Sequence, residues 1–187
     1  MKRQIRRNVF ETNSSSMHSL VVKKTSEYYN EAELRESVWL YDDGEWHIHS
    51  TEDLDFGRYP FDCLNTFGKK VRYAIASLCG YKENAKEVFE NVIMKTVREV
   101  IPECINIKLP TMGYSRKENR KTYYGYVDED ILTGFLESEN IDLKEFLTNK
   151  KYVVIVDGDE YQIWNHMKDS NLINENQIEN EYPKREY

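Results

Sequence analysis

An α+β fold in a single domain, with a mainly antiparallel sheet and two central amphipathic helices packed on one of its faces, is what this sequence predicts. Three observations lead there. Residues 65–79 and 84–100 each repeat apolar side chains at three- and four-residue spacing, the period of a one-sided helix. Tyr152-Val153-Val154-Ile155-Val156 is a continuous apolar run of strand length. A strand apolar on both faces belongs inside a sheet, not at its rim. Finally, Asp42-Asp43-Gly44-Glu45 separates Val38-Trp39-Leu40-Tyr41 from Trp46-His47-Ile48-His49. Asp-Gly between aromatic and β-branched runs is a hairpin signal, because Gly accepts positive φ.

Each element can be justified in order. Residues 4–10 and 17–22 read as two strands joined across residues 11–16, a hairpin or short crossing. Residues 25–36 are polar with scattered Tyr28, Tyr29 and Leu34, a weak helix. Phe56-Gly57-Arg58-Tyr59-Pro60 is a loop by its Gly and Pro. In residues 65–79 the stripe is Phe67, Val71, Ala74, Ile75 and Leu78, stopped by Gly80. In residues 84–100 it is Ala85, Val88, Phe89, Val92, Ile93, Val97 and Val100, with Pro102 beyond. A short strand is expected over 105–109, a polar loop over 110–122 and a strand over 123–127. Residues 130–137 and 142–147 read as short helices, each opened by an acid that suits the positive helix start. After the apolar strand, residues 157–160 read as a turn and 161–169 as a helix. The single domain spans residues 1–171, and the Asn- and Glu-rich stretch 172–187 is a tail expected to fray.

Composition narrows the function classes. The chain has 187 residues, a length that suits one domain with a sizeable core. Fourteen Tyr and three Trp argue against disorder. No apolar run approaches the roughly 20 residues that span a bilayer, and the basic start is followed by no apolar stretch of a signal peptide. Cys63, Cys79 and Cys104 are widely spaced and odd in number, which fits free thiols in a cytoplasm better than a disulfide framework or a zinc site. The net charge of −7 is unevenly spread. Residues 1–24 carry six bases against Glu11 alone, whereas residues 127–187 carry fifteen acids against six bases. Such a chain would meet nucleic acid only through a local basic face, or would offer its acidic half to a basic partner.

Four clusters could carry chemistry. The first runs through Asn13, Ser14, Ser15, Ser16 and His18, preceded by Arg6 and Arg7. Hydroxyls, amides and backbone N–H groups in a tight loop can cradle a phosphate, and His18 beside Ser15 could form a base-activated nucleophile. No third catalytic group is fixed by spacing, and Ser and Asn also cap plain turns. The second is His47 and His49, two apart on a strand and therefore on one face, but too few for a zinc site. The third is Asp157 and Asp159 at the end of a buried strand, where acids can hold magnesium near a phosphate, or where Asp159 simply caps a helix. The fourth is Arg116, Lys117, Arg120 and Lys121 beside Tyr114, Tyr123 and Tyr124, cations and rings that could grip single-stranded nucleic acid or form only a solvated loop.

The stretch Arg7-Asn8-Val9-Phe10-Glu11-Thr12-Asn13-Ser14-Ser15-Ser16-Met17-His18-Ser19 resembles the N-terminal signature of small phage and mobile-element proteins of low-GC Gram-positive bacteria. The likeness touches Gly125-Tyr126-Val127-Asp128 and continues from Phe146 through Tyr161. It implies a bacterial cytoplasm and an accessory phage role, and it supplies no mechanism. Two functions follow as expectations. One is an accessory protein that binds a host protein, such as a defence component, without catalysis; abundant Tyr suits an interface. The other is a nucleotide- or phosphate-ligand-binding protein or enzyme. It would use the 13–19 loop and the acidic 157–160 segment, with magnesium on Asp157 and Asp159. That second function requires the loop and the acidic segment to meet in the fold.

Overall fold

The computed structural model describes residues 9–11, 16–23, 26–36, 39–40, 46–47, 54, 56, 62–80, 82–112, 121–127 and 131–158. In chain order the elements are β1 (Val9–Glu11), β2 (Ser16–Val22), α1 (Glu31–Glu36), β3 (Trp39–Leu40), β4 (Trp46–His47) and β5 (Asp62–Leu64). Next come α2 (Phe67–Cys79), α3 (Ala85–Val88), a π-helical stretch (Phe89–Met94), α4 (Lys95–Val100) and β6 (Ile107–Lys108). The chain continues through β7 (Thr111–Met112), β8 (Lys121–Thr122), α5 (Leu132–Glu139), α6 (Leu143–Thr148) and β9 (Tyr152–Gly158).

The main sheet has the order β1-β2-β9-β5, with every neighbouring pair antiparallel. The apolar run does form an inner strand, β9, as its two-faced hydrophobicity requires. Leu20, Val154 and Leu64 lie in one cross-strand row on β2, β9 and β5, and all three are buried. With Tyr152 and Val156 they join the helices in one hydrophobic cluster. Val21, Val153 and Ile155, at the alternate positions, are buried as well. Each such aliphatic side chain removed from water contributes roughly 1.5–3 kcal/mol. The predicted 38–41/46–49 hairpin is represented by β3 paired antiparallel with β4, and β4 is extended by parallel β6; its turn lies outside the described residues.

The helix α2 begins where Thr66 accepts a hydrogen bond from the Lys69 N–H, and it ends at Gly80. Gly80 packs on the Gly125 backbone, and a side chain on Gly80 would sit 2.9 Å from the Gly125 carbonyl oxygen. Gly125 has φ +94°, and a Cβ there would lie 2.5 Å from the Leu54 oxygen, so this crossing tolerates only glycine.

The second long helical segment departs from the predicted stripe for a definable reason. Its middle, Phe89–Met94, is π-helical, which inserts one residue into the helical repeat. The apolar phase slips by one, so Met94 and Ile101, outside the predicted stripe, are buried while Val92, inside it, is 41% exposed. A constant helical period cannot show this.

Other boundaries also moved. The weak helix shrinks to α1, which is set by a reciprocal cap: the Asn30 N–H donates to Glu33 Oε2 (2.9 Å) and the Glu33 N–H to Asn30 Oδ1 (3.0 Å). The strand expected over 123–127 is not formed; β8 pairs instead with β7, inside the stretch read as a polar loop. There, the Tyr126 N–H donates to the Leu54 oxygen and its carbonyl accepts from the Phe56 N–H. α5 starts at Leu132 after Ile131, with no acidic cap, and stops at left-handed Asn140 (φ 52°). α6 does open on an acid, Asp142, whose side chain accepts from the Glu145 N–H at 2.7 Å. The predicted helix over 161–169 and the tail 172–187 lie outside the described residues.

Candidate functional site

Strand β2 pairs with β9 along its whole length, and the register decides what lies at each end. At one end Ser16 is opposite Gly158, Met17 opposite Asp157 and His18 opposite Val156. Asp157 and Gly158 therefore lie within the strand and not in the expected turn, which corrects the reading at these two positions, residues 159 and 160 lying outside the described residues; strand pairing with Met17 holds the Asp157 backbone extended. The row through His18 and Val156 continues to Asp62 on β5. Strands stand about 4.8 Å apart, so the His18 and Asp62 backbones lie about 10 Å from each other. Asp62 in turn accepts from Lys69 Nζ at 2.7 Å. Sequence reasoning missed this ion pair, because nothing local connects the start of a three-residue strand to the first turn of the following helix. The sheet end thus gathers the last residue of the serine-rich segment (Ser16), His18, Asp157 and the Asp62–Lys69 pair. Arg6, Arg7, Asn13, Ser14, Ser15 and Asp159 lie outside the described residues.

The opposite end of the same strands is closed by a buried cation. Lys70, fully buried, donates from Nζ to the carbonyls of Phe146 (2.8 Å), Asn149 (2.8 Å) and Tyr152 (3.1 Å). It sits 5.0 Å from the Tyr29 ring centroid and 5.4 Å from that of Phe146. Phe146 and Asn149 belong to the C-terminal end of α6, where unpaired carbonyls and the helix dipole favour a cation. Burial pushes the Lys70 ammonium down to about 7, Lys23 acts in the same direction and Glu145 opposes them. In sequence Lys70 falls on the α2 stripe between Phe67 and Ala74, so its burial was legible from spacing, but its acceptors were not.

An arm formed by residues 26–36 wraps this end. The Tyr29 N–H donates to the Thr148 oxygen and Lys23 N–H to the Lys151 oxygen. Lys150 Nζ donates to Glu33 Oε1 at 2.6 Å. This bond holds the Glu33 carboxyl below the usual range, with the Asn30 N–H adding to it. Between the arm, α4 and α6 lies a groove of about 500 Å³, with Leu34, Val100 and Ile141 among its apolar lining and Tyr28, Asp142 and Glu145 among its polar lining. Tyr28, 59% exposed, donates to Glu145 Oε2 at 2.7 Å, and that bond raises its phenol above the ordinary value.

The remaining candidates are less assembled. His47 lies in β4 opposite Trp39 and beside Lys108, while His49 is outside the described residues. Among the described residues no three His, Cys, Asp or Glu are grouped to hold a metal ion. Of the basic loop, Lys121 is described and exposed. The Tyr124 ring packs against Phe89 at 5.7 Å, where it supports the helix and is half-buried. Arg116, Lys117, Arg120 and Tyr114 lie outside the described residues. Cys63, Cys79 and Cys104 are free thiols, and burial pushes Cys79 up to about 12 and Cys104 up to about 11, which suppresses the reactive thiolate. No described helix is long and apolar enough to cross a membrane.

No family model, curated protein or solved structure matches this chain. What the chain can do therefore rests on the chemistry at the two ends of the sheet.

Proposed function

We propose that the protein binds a phosphate-bearing ligand, with nucleotides as the first class to test, at the Ser16–Asp157 end of the main sheet. The observation that supports this is the register: Ser16 opposite Gly158 and Met17 opposite Asp157 bring the described end of the serine-rich segment beside the described start of the acidic one, although they come from opposite ends of the sequence. In this reading Ser14, Ser15, Ser16 and the Arg6/Arg7 pair hold phosphate. His18 exchanges a proton or a hydrogen bond with the ligand, and Asp157 with Asp159 holds magnesium. Thermal melting against a panel of nucleotides, cyclic nucleotides and short oligonucleotides, with and without magnesium, tests it. A ligand at about 100 times its Kd adds roughly 2.7 kcal/mol of stability. The expected result is a magnesium-dependent rise in melting temperature that Ser15→Ala or Asp157→Ala abolishes. A flat panel rejects the reading.

The groove at the other end favours a second reading, a phage accessory protein that binds a host protein in the bacterial cytoplasm without catalysis. An exposed Tyr beside apolar side chains and a polar rim is the composition of a protein interface. In that case capture of a host protein survives replacement of residues 13–19 by alanine.

A further inference from the structure

The groove between the arm, α4 and α6 is apolar inside and acidic around. Leu34, Val100 and Ile141 are each partly buried, packed on the core on one side and lining the groove on the other. Several charges around it cancel: Lys144 pairs with Glu99 at 3.6 Å and Lys150 with Glu33. Arg35, the cation between α1 and the residues after α4, is shared by Glu31 and Glu103. Asp142 and Glu145 form no ion pair among the described residues, although Glu145 favours the buried Lys70 ammonium through space, and their hydrogen bonds come from the neutral groups of a backbone N–H, Tyr28 and Asn149. The rim thus carries two carboxylates, Asp142 and Glu145, over an apolar floor, and its one lining cation among the described residues, Lys144, is drawn to Glu99. A small anion is disfavoured there, and an apolar ligand would leave the rim uncompensated.

We propose that this groove seats a basic segment of a partner protein, with an apolar side chain anchored on Val100 and Ile141 and Lys or Arg side chains meeting Asp142 and Glu145. The inference rests on the second reading above and gives its partner a chemistry. Complementary charge would speed encounter and fix orientation, and the apolar anchor would supply most of the residence time.

Fluorescence anisotropy on the intact protein tests this with a short labelled peptide of leucines flanked by lysines, beside the same peptide with glutamates in place of lysines. The paired substitution Asp142→Asn with Glu145→Gln removes both charges, while Asn keeps the helix cap. The expected result is saturable binding of the lysine peptide alone, weakened about tenfold by the paired substitution, while a single cooperative melt, lowered only slightly, shows that the fold is kept. As a control, Glu83→Gln with Glu87→Gln removes two exposed carboxylates at α3 and leaves binding as it was. No binding, or equal weakening by the control pair, overturns the proposal, because attraction would then be to net charge. A concentration-dependent dimer that the paired substitution dissolves also overturns it, in favour of a second copy of this chain. Host-protein capture undiminished by the paired substitution sinks this groove and leaves the second reading standing.

Discussion

Strands β2 and β9 run side by side for seven residues, and their two ends are finished in opposite ways. At the Tyr152 end a buried ammonium, two aromatic rings, a helix terminus and an arm close over the strands. At the Gly158 end the register collects serine, histidine and aspartate positions with no comparable clamp among the described residues. The stabilising contacts and the positions proposed to bind a ligand are thus placed apart on one pair of strands. A change at the closed end should act on folding, and a change at the polar end on binding.

The strongest way to break this contrast is Lys70→Ala. It leaves three buried carbonyls without their donor, and the expected loss is about 3 kcal/mol in urea denaturation, given roughly 1–3 kcal/mol for each unsatisfied buried group and partial relief from removing a buried charge. Amide hydrogen exchange should accelerate at residues 149–152 first. If exchange at residues 16–18 and 156–158 accelerates equally, the two ends are one unit and the contrast fails.

A pH series sharpens the same point. The Lys70 ammonium titrates near 7 in the folded chain and near 10.5 when unfolded. Between those values the unfolded chain holds more protons, so stability rises with pH from about 7 upward, by at most about 1.4 kcal/mol per pH unit. Cys79 and Cys104 work the other way above pH 9, the ordinary thiol value. The unfolded thiols ionise there while the buried ones keep their protons, so stability is lost as pH rises further. A maximum near pH 9 in the melting temperature is expected, and Lys70→Met should remove the rising limb. A rising limb that persists in Lys70→Met assigns it to another group.

The smallest expected effect is at the groove. Asp142→Ala should cost about 1 kcal/mol by removing the cap of α6, while Asp142→Asn should cost only a few tenths. Equal losses in the two variants would mean that charge and not capping holds the helix start.

How much of this was legible in the sequence varies with the range of the forces involved. The α2 stripe, the Asp142 cap and the inner position of β9 are written in local spacing or composition, and the fold class follows from them. The Asn30–Glu33 cap was equally local and could have been read from an Asn followed three residues later by Glu. The π-helical slip was not legible, because it depends on which of Val92 and Met94 finds the core. The pairing of Met17 with Asp157 and the three acceptors of Lys70 join distant parts of the chain, and no local pattern encodes them. For the candidate site, residue types could be nominated from sequence, but their convergence could only be stated as a requirement.

The pairing of β2 with β9 also has a consequence for the chain during its synthesis. Everything from Lys23 to Lys151 is made between the two partners, so β2 leaves the ribosome long before the strand that completes it. Until then one edge of the β1–β2 hairpin exposes unmatched backbone donors and acceptors, the feature that invites pairing with other chains. Contacts of such large sequence separation form slowly. An early stop or a stall in translation would therefore yield an aggregation-prone fragment instead of a smaller working domain.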